Sequence, residues 1–571
     1  MGVRRAMDMV LEAVMKKNGL IFTYGPLIHN PQVLEILEGK GVQILPERGV
    51  SSFLSSPPQG ISVTVIIRAH GVSPDEGQNI KDTGVHIVNA TCPHVGKVQG
   101  IIKRYALQGY HIVIVGEKDH AEVIGLLGYA GGNGYVINSL EEVEDLPPLE
   151  KVCFVAQTTQ DQNLFEAFAK AIQKRFPEAK IFNTICDSTH RRQHEVLALA
   201  QKVKAMVVVG GKESGNTRRL AKISEKVGIP TFHVETEKEL DLKNLSQYPV
   251  IGVTAGASTP NWLISRVVER LKALQMPKGI AYYLEKLGRL TAISYLLLAL
   301  GAGCLTYASV LIQGLKPKLS WSLVASLYVF SMHVLNRLAD KPSERFNQPG
   351  RTEFYERYGN WMIAAGIFSA MVALILSWFQ GIVPFILLLA ISGLGMVYNL
   401  RLFPSRPGEV TRYRKLKDIP GSKTVFVALA WGVVTSLLPP LAQEAKLSTG
   451  SIVAFLFSAI LVFIRSTLYD FKDIQGDLMV GKETIPIVLG KRTTEILVIW
   501  LLLFLCGMLT VAAPLQWATT VTFFLLISLG YVVAYYFLYQ KRILGRGFFF
   551  EGVVDGSFIF SGVLAFLWSI L

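Results

Sequence analysis

At 571 residues the chain is too long for one hydrophobic core, so at least two domains are expected. Its 57 Lys and Arg against 43 Asp and Glu leave a formal charge of +14. The excess lies largely in short loops between apolar runs, a placement the positive-inside rule explains, which excludes a nucleic-acid partner. Five irregularly spaced cysteines with no signal-peptide pattern exclude a disulfide framework and indicate a reducing setting for the first half.

Residues 1 to about 275 alternate helix and strand patterns. An amphipathic helix over Arg4 to Lys17 precedes a strand at Leu20 to Tyr24, a helix at Gln32 to Lys40 and a strand at Thr64 to Ile67. The alternation continues through a helix at Gln99 to Leu107, strands at His111 to Val115 and Lys151 to Val155, and helices at Leu164 to Arg175 and His194 to Lys204. It ends with strands at Ala205 to Val209 and Val250 to Val253 around a helix at Arg218 to Val227. Continuous Val/Ile runs between helices predict buried parallel strands, hence an α/β class.

Chemistry-bearing residues gather where these strands end, which is where parallel α/β sheets place ligands. They are His29, His70, Cys92, His120, Glu122, Thr158, Thr159, Cys186, Ser214, Asn216 and Ser258. Histidines with small hydroxyl and amide groups suit a diphosphate, Glu122 suits proton transfer, and the two cysteines suit a soft metal. Each cysteine follows a β-branched run and precedes a helix pattern, where a helix dipole favours a thiolate. Cys153 reads as a buried strand residue, and Cys304 and Cys506 as inert residues of apolar runs. Gly210 to Thr217 lacks both the Walker and the Rossmann spacing, so neither nucleotide site is expected.

The stretches Ala69-His70-Gly71-Val72-Ser73, Ala90-Thr91-Cys92-Pro93, His120-Ala121-Glu122-Val123, Gln157-Thr158-Thr159 and Thr254-Ala255-Gly256-Ala257-Ser258 resemble, in order, the motifs of the 4-hydroxy-3-methylbut-2-enyl diphosphate reductase (LytB/IspH) family. The resemblance covers about 275 residues. It implies three α/β subdomains around a 4Fe–4S cluster held by three cysteines, and reduction of the substrate to isopentenyl and dimethylallyl diphosphate. It further implies a ferredoxin- or flavodoxin-type electron donor. Carried over by motif, Cys92 and Cys186 are cluster ligands and Glu122 is the proton donor. His29, His70, His120, Ser214, Asn216 and Ser258 bind diphosphate, with Thr158 and Thr159 near the substrate. Gly215 stands where the family has a second Ser. Gly2-Val3-Arg4-Arg5-Ala6 matches the end of the family's first cysteine turn. The expectation is a start assigned too late, with the cysteine just ahead of Met1 and the first strand missing; the alternative is a chain that lacks this ligand.

After a basic, amphipathic linker at 276–290, about nine apolar runs of spanning length follow: 290–313, 319–336, 359–379, 382–400, 423–441, 450–468, 494–513, 517–539 and 548–571. They predict an all-α polytopic domain over 291–571 in the lipid bilayer. Basic loops at 337–357, 401–423, 472–492 and 541–546 predict that the first half and these loops are cytoplasmic, at the inner (cytoplasmic) membrane.

Two acidic clusters mark cytoplasmic span ends: Asn336, Asp340 and Glu344, and Asp470, Asp473 and Asp477. Carboxylates at i, i+3 and i+7 share a helix face, and such oxygen-rich sets suit Mg²⁺ bridging a diphosphate. The second cluster, followed by Gly481-Lys482-Glu483-Thr484, is similar to the second aspartate-rich motif of the UbiA prenyltransferase superfamily, and Asn336-Arg337-Leu338-Ala339-Asp340 to its first. That resemblance implies Mg²⁺-assisted ionisation of a prenyl diphosphate and its transfer to an aromatic or lipid acceptor, with Arg414, Lys417 and Lys423 contacting phosphate. The expectation is a bifunctional isoprenoid enzyme. Its rivals are a prenyltransferase with a cluster-free binding module, and a transporter with a cytosolic sensor.

Overall fold

The computed structural model describes residues 2–16, 19–45, 62–275, 279–337, 347–398, 416, 419–443, 446–480, 482–541 and 548–571. The chain divides into two compact units, Met1–Met276 and Pro277–Leu571.

The first unit holds three parallel sheets. In the first, strands β1 (Leu20–Tyr24), β2 (Val42–Leu45), β3 (Val63–Ile67) and β4 (His86–Asn89) run in the order β2-β1-β3-β4, with helices α1 (Gly2–Lys16), α2 (Pro31–Glu38) and α3 (Pro74–Asp82). Next come α4 (Pro93–Ala106), β5 (His111–Val115), α5 (Ala121–Gly128), β6 (Gly134–Ile137), β7 (Val152–Ala156), α6 (Gln162–Arg175) and β8 (Lys180–Ile181), with the sheet order β6-β5-β7-β8. The third comprises α7 (Asp187–Ala200), β9 (Ala205–Val209), α8 (Gly215–Lys226), β10 (Thr231–Val234), β11 (Ile251–Ala255) and α9 (Asn261–Gln275), in the order β10-β9-β11. All recorded strand pairs are parallel. The central strands are buried on both faces, as the unbroken Val/Ile runs predict: Val113, Ile114 and Val115 and the whole of β9 have no exposed surface. This is the expected α/β class in three subdomains.

Two helices begin earlier than their periodicity suggests. α4 starts at Pro93 and α7 at Asp187, directly after Cys92 and Cys186, and neither cysteine caps its helix through the side chain. The usual Ser/Asp start signal is absent because a thiol occupies the cap.

The second unit is helical: α10 (Ile280–Ile293), α11 (Leu296–Ile312), α12 (Leu319–Arg337), α13 (Pro349–Gln380), α14 (Ile382–Val397), α15 (Ser422–Gly432), α16 (Leu438–Gln443), α17 (Thr449–Val480), α18 (Lys491–Ala512), α19 (Val521–Gln540) and α20 (Phe548–Ile570). A π-helical turn at Val433–Leu437 joins α15 to α16. Among the described residues seven helices are long and apolar enough to cross a membrane, or eight if the pair α10–α11, bent by 72°, is one span. The remaining expected run, α14, is a shorter apolar helix of 16 residues. The bend falls at Tyr295, whose φ of 66° is left-handed. By length and composition this unit is a multi-pass membrane domain.

Candidate active sites

In the first unit the loops after the strands bring the predicted residues together. His29 follows β1, His70 follows β3 and His120 precedes α5. Their ring centroids lie 4.7 Å (His29–His70), 5.6 Å (His29–His120) and 5.3 Å (His70–His120) apart. Burial pushes all three below the ordinary imidazole range. Nearby cationic character adds to this: Arg68 lowers His29, and His29, His120 and Arg68 lower His70. His120 falls to about 4. Near neutrality the trio is therefore uncharged.

Three clustered imidazoles could also hold a metal ion, since their ligand nitrogens lie within 4.8 Å of one another. The hydrogen bonding argues for an anion instead. The backbone N–H of Glu122 donates to His120 Nδ1 at 3.1 Å, so the neutral ring carries its proton on Nε2 and offers a donor there. Nε2 faces the N-terminus of α8: a Cβ added to Gly215 would lie 3.7 Å from it. The same end of α8 holds Ser214, whose Oγ is 3.5 Å from that of Ser258, and Asn216, 6% exposed, with neither amide atom hydrogen-bonded. Buried polar atoms are normally satisfied. Unsatisfied ones at a helix N-terminus beside neutral imidazole donors describe a seat for an anion. Glu117 fastens this end in place through Arg218 at 3.1 Å and Arg219 at 3.5 Å.

Glu122 is buried at 2% exposure. Its Oε1 accepts from the Thr158 backbone N–H at 2.7 Å and its Oε2 from Thr158 Oγ1 at 2.9 Å. Burial outweighs these bonds, which favour the ionised form, and pushes the carboxyl up to about 7. The group is poised to give or take a proton near neutrality. Thr159 Oγ1 is buried without a partner.

The cysteines border the same loops. The backbone N–H of Cys92 donates to Ala69 O and that of Cys186 to Thr158 O, each at 2.9 Å. α1 presses on the first of them: a Cβ at Gly2 would stand 2.2 Å from Cys92 Sγ, and Arg5 donates to Thr91 O at 3.0 Å. Cys153 is fully buried in β7, and burial pushes its thiol up to about 12, which makes it a core residue. Among the described residues, then, two thiols border this site, one fewer than the three the expected cluster takes.

In the second unit Asp470, Asp473 and Asp477 lie on one face of α17. Asp470 accepts from Thr424 Oγ1 at 2.8 Å, next to Lys423, and Asp477 from Asn347 Nδ2 at 3.0 Å. An all-oxygen set of three carboxylates fits a hard divalent cation. Asn336 lies on α12, while Asp340, Glu344, Arg414 and Lys417 lie outside the described residues.

Sequence reasoning missed the ion pairs behind this motif. Glu551 and Asp555 sit one turn apart on α20, 6% and 5% exposed. Arg351 of α13 meets Glu551 at 2.7 Å, and Arg465 of α17 meets Asp555 at 2.7 Å. Two acids inside an otherwise apolar run are a readable signal, because ionisable groups in spanning segments rarely sit there without a partner.

Comparison with known proteins gives two matches. The LytB protein family matches residues 1–272 and the UbiA prenyltransferase family residues 295–551. A 4-hydroxy-3-methylbut-2-enyl diphosphate reductase of Caldanaerobacter subterraneus subsp. tengcongensis is 42% identical over 275 residues, covering 48% of this chain and 93% of that protein. The structure of an E-1-hydroxy-2-methyl-but-2-enyl-4-diphosphate reductase from Plasmodium falciparum is 28% identical, covering 47% of this chain and 83% of that one, with a TM-score of 0.44. A UbiA homolog from Archaeoglobus fulgidus, solved bound to DMAPP and Mg²⁺, is 15% identical, covering 50% of this chain and 100% of that one, with a TM-score of 0.35.

Proposed function

The chain belongs to the LytB family, and from that premise we propose that its first unit binds 4-hydroxy-3-methylbut-2-enyl diphosphate and takes part in its reductive dehydroxylation. The observation that carries this is the pairing of an anion seat with a buried carboxyl poised near neutrality. His29, His70, His120, Ser214, Asn216 and Ser258 hold the diphosphate, aided by the N-terminus of α8. Glu122 supplies a proton, held in place by Thr158, with Thr159 beside the substrate. In the balanced reaction the allylic C–O bond breaks. Two electrons and a proton go to the carbon skeleton, giving isopentenyl or dimethylallyl diphosphate, and a second proton leaves with the hydroxyl as water. The electrons come from a ferredoxin- or flavodoxin-type donor. A 4Fe–4S cluster on Cys92 and Cys186 would need a ligand beyond these two.

A second reading is a module that binds diphosphate without a cluster. Iron content and visible absorbance of the anaerobically purified full chain separate the two. About four irons with charge-transfer absorbance and substrate turnover are expected for the reductase. Diphosphate binding with neither iron nor absorbance would leave the binding module.

We further propose that the second unit transfers a prenyl group to an aromatic or lipid acceptor, with the reductase-like unit on the cytoplasmic side of the inner membrane. Asp470, Asp473 and Asp477, with Asn336, Asp340 and Glu344, would hold Mg²⁺, which when bound neutralises the departing diphosphate. Lys423, Arg414 and Lys417 contact phosphate. The prenyl C–O bond breaks with its electron pair leaving on diphosphate, and the acceptor forms the new bond and releases a proton.

Gly215 offers a direct test of the diphosphate seat. The space beside it takes a Cβ at ordinary contact distance, 3.7 Å from His120 Nε2 and 3.9 Å from Glu117 Oε1. Gly215→Ser adds a hydroxyl donor and is expected to tighten diphosphate binding about fivefold, one neutral hydrogen bond's worth. Calorimetric titration with the substrate diphosphate checks it.

A further inference from the structure

Lys472 stands next in sequence to Asp473, a carboxylate assigned above to the cation. Its Nζ lies 4.0 Å from Asp473 Oδ1 and 3.3 Å from Glu551 Oε1. The lysine side chain is 7% exposed, so water does little to screen it. An ammonium group that close to a metal-binding carboxylate competes with the cation for it and repels the cation directly. Glu551 opposes both effects. Its Oε1 faces Lys472, while its Oε2 is held by Arg351 at 2.7 Å. Arg351 is itself anchored by donating to Ala292 O at 3.0 Å. The carboxylate of Glu551 is thus fixed from α13 and presents one oxygen to the lysine of α17. The lysine's direction is further set by the rings of Tyr469, at 5.2 Å, and Phe550, at 5.6 Å.

We propose that Glu551 is a positioning residue: it neutralises Lys472 and holds it off Asp473, keeping that carboxylate available to a divalent cation. The proposal rests on the reading of Asp473 as a cation ligand. It assigns the last helix, α20, a part in loading the site without touching the metal. It also gives a role to an acid within an apolar run, where an unpaired one would be strongly destabilising.

The test is Mn²⁺ binding to the detergent-solubilised full chain, read from the free-ion signal in electron paramagnetic resonance, so that it does not depend on turnover. Glu551→Gln is expected to weaken Mn²⁺ binding about tenfold, the effect of one uncompensated neighbouring charge. Lys472→Met is expected to bind at least as tightly as the native chain. The double variant Glu551→Gln/Lys472→Met is expected to regain native affinity although Arg351 has still lost its charged partner. Unchanged affinity in Glu551→Gln, weaker binding in Lys472→Met, or a double variant no better than Glu551→Gln alone would each overturn the proposal, the last by showing that Glu551 acts only through packing. Asp473→Asn tests the underlying reading separately: Mn²⁺ binding that survives it would show that the cation is held elsewhere.

Discussion

Glu122→Gln is expected to lower reductive turnover by about 10²- to 10⁴-fold while leaving diphosphate affinity unchanged, because the amide keeps the shape of the carboxyl but cannot donate its proton. Turnover in the native chain should fall as pH rises through about 7, where Glu122 loses that proton. Thr158→Val refines the assignment. It removes the Oγ1–H bond to Oε2, which favours the ionised carboxylate. The carboxyl must then rise further, and the basic limb of the pH–rate profile should move to higher pH. A limb that stays in place would assign it to another group.

The same carboxyl has a stability signature that needs no substrate. Its folded-state value of about 7 lies above its ordinary 4.5, so between these values the folded chain binds more protons than the unfolded one. Stability is then lost as pH rises through that window, by on the order of 3 kcal/mol in all. Glu122→Gln removes the loss, so its first unit should outlast the native one at pH 8 in thermal unfolding.

Asp470→Asn and Asp473→Asn are each expected to lower prenyl transfer by at least about 10²-fold, since departure of a diphosphate leans on charge neutralisation for much of its rate. Membranes assayed with a labelled prenyl diphosphate against a panel of aromatic and lipid acceptors provide the measurement. Raising Mg²⁺ should recover part of the loss if the defect is in cation binding. Because the chain forms two compact units, each set of variants controls for the other: Glu122→Gln should leave prenyl transfer intact, and Asp473→Asn the reductive step. Prenyl transfer that persists in both aspartate variants would place the cation elsewhere, whereas native membranes that transfer no prenyl group to any acceptor would favour the transporter reading.

Much of the first site is visible in the sequence because a parallel sheet exports its chemistry to strand ends. Each of His29, His70, His120, Thr158 and Ser258 follows a hydrophobic run closely enough to be placed without knowing the sheet order. The edge strands β2, β4, β6, β8 and β10 escaped notice because they are short and only partly buried, which leaves little hydrophobic pattern to read. The proton on His120 Nε2 could not be foreseen, since it depends on one backbone N–H two residues away. In the membrane unit the apolar runs announced the helices. What they conceal is pairing: Arg351 reads as one more loop cation until the fold brings Glu551, 200 positions later, to 2.7 Å.

The crowding of the three imidazoles also sets a proton account. Their pocket is a neutral surface: burial keeps all three rings from charging, aided by Arg68 and, for His70 and His120, by His29. On the proposed reading a diphosphate would supply the counter-charge that lets His29 and His70 protonate, while His120 stays neutral because its Nδ1 accepts the Glu122 N–H. Affinity should accordingly rise as pH falls toward the ordinary imidazole range, and the heat of binding should vary with the ionisation enthalpy of the buffer. On that reading the pocket would act as a proton-coupled receptor, with its positive charge arriving from solvent when the ligand does.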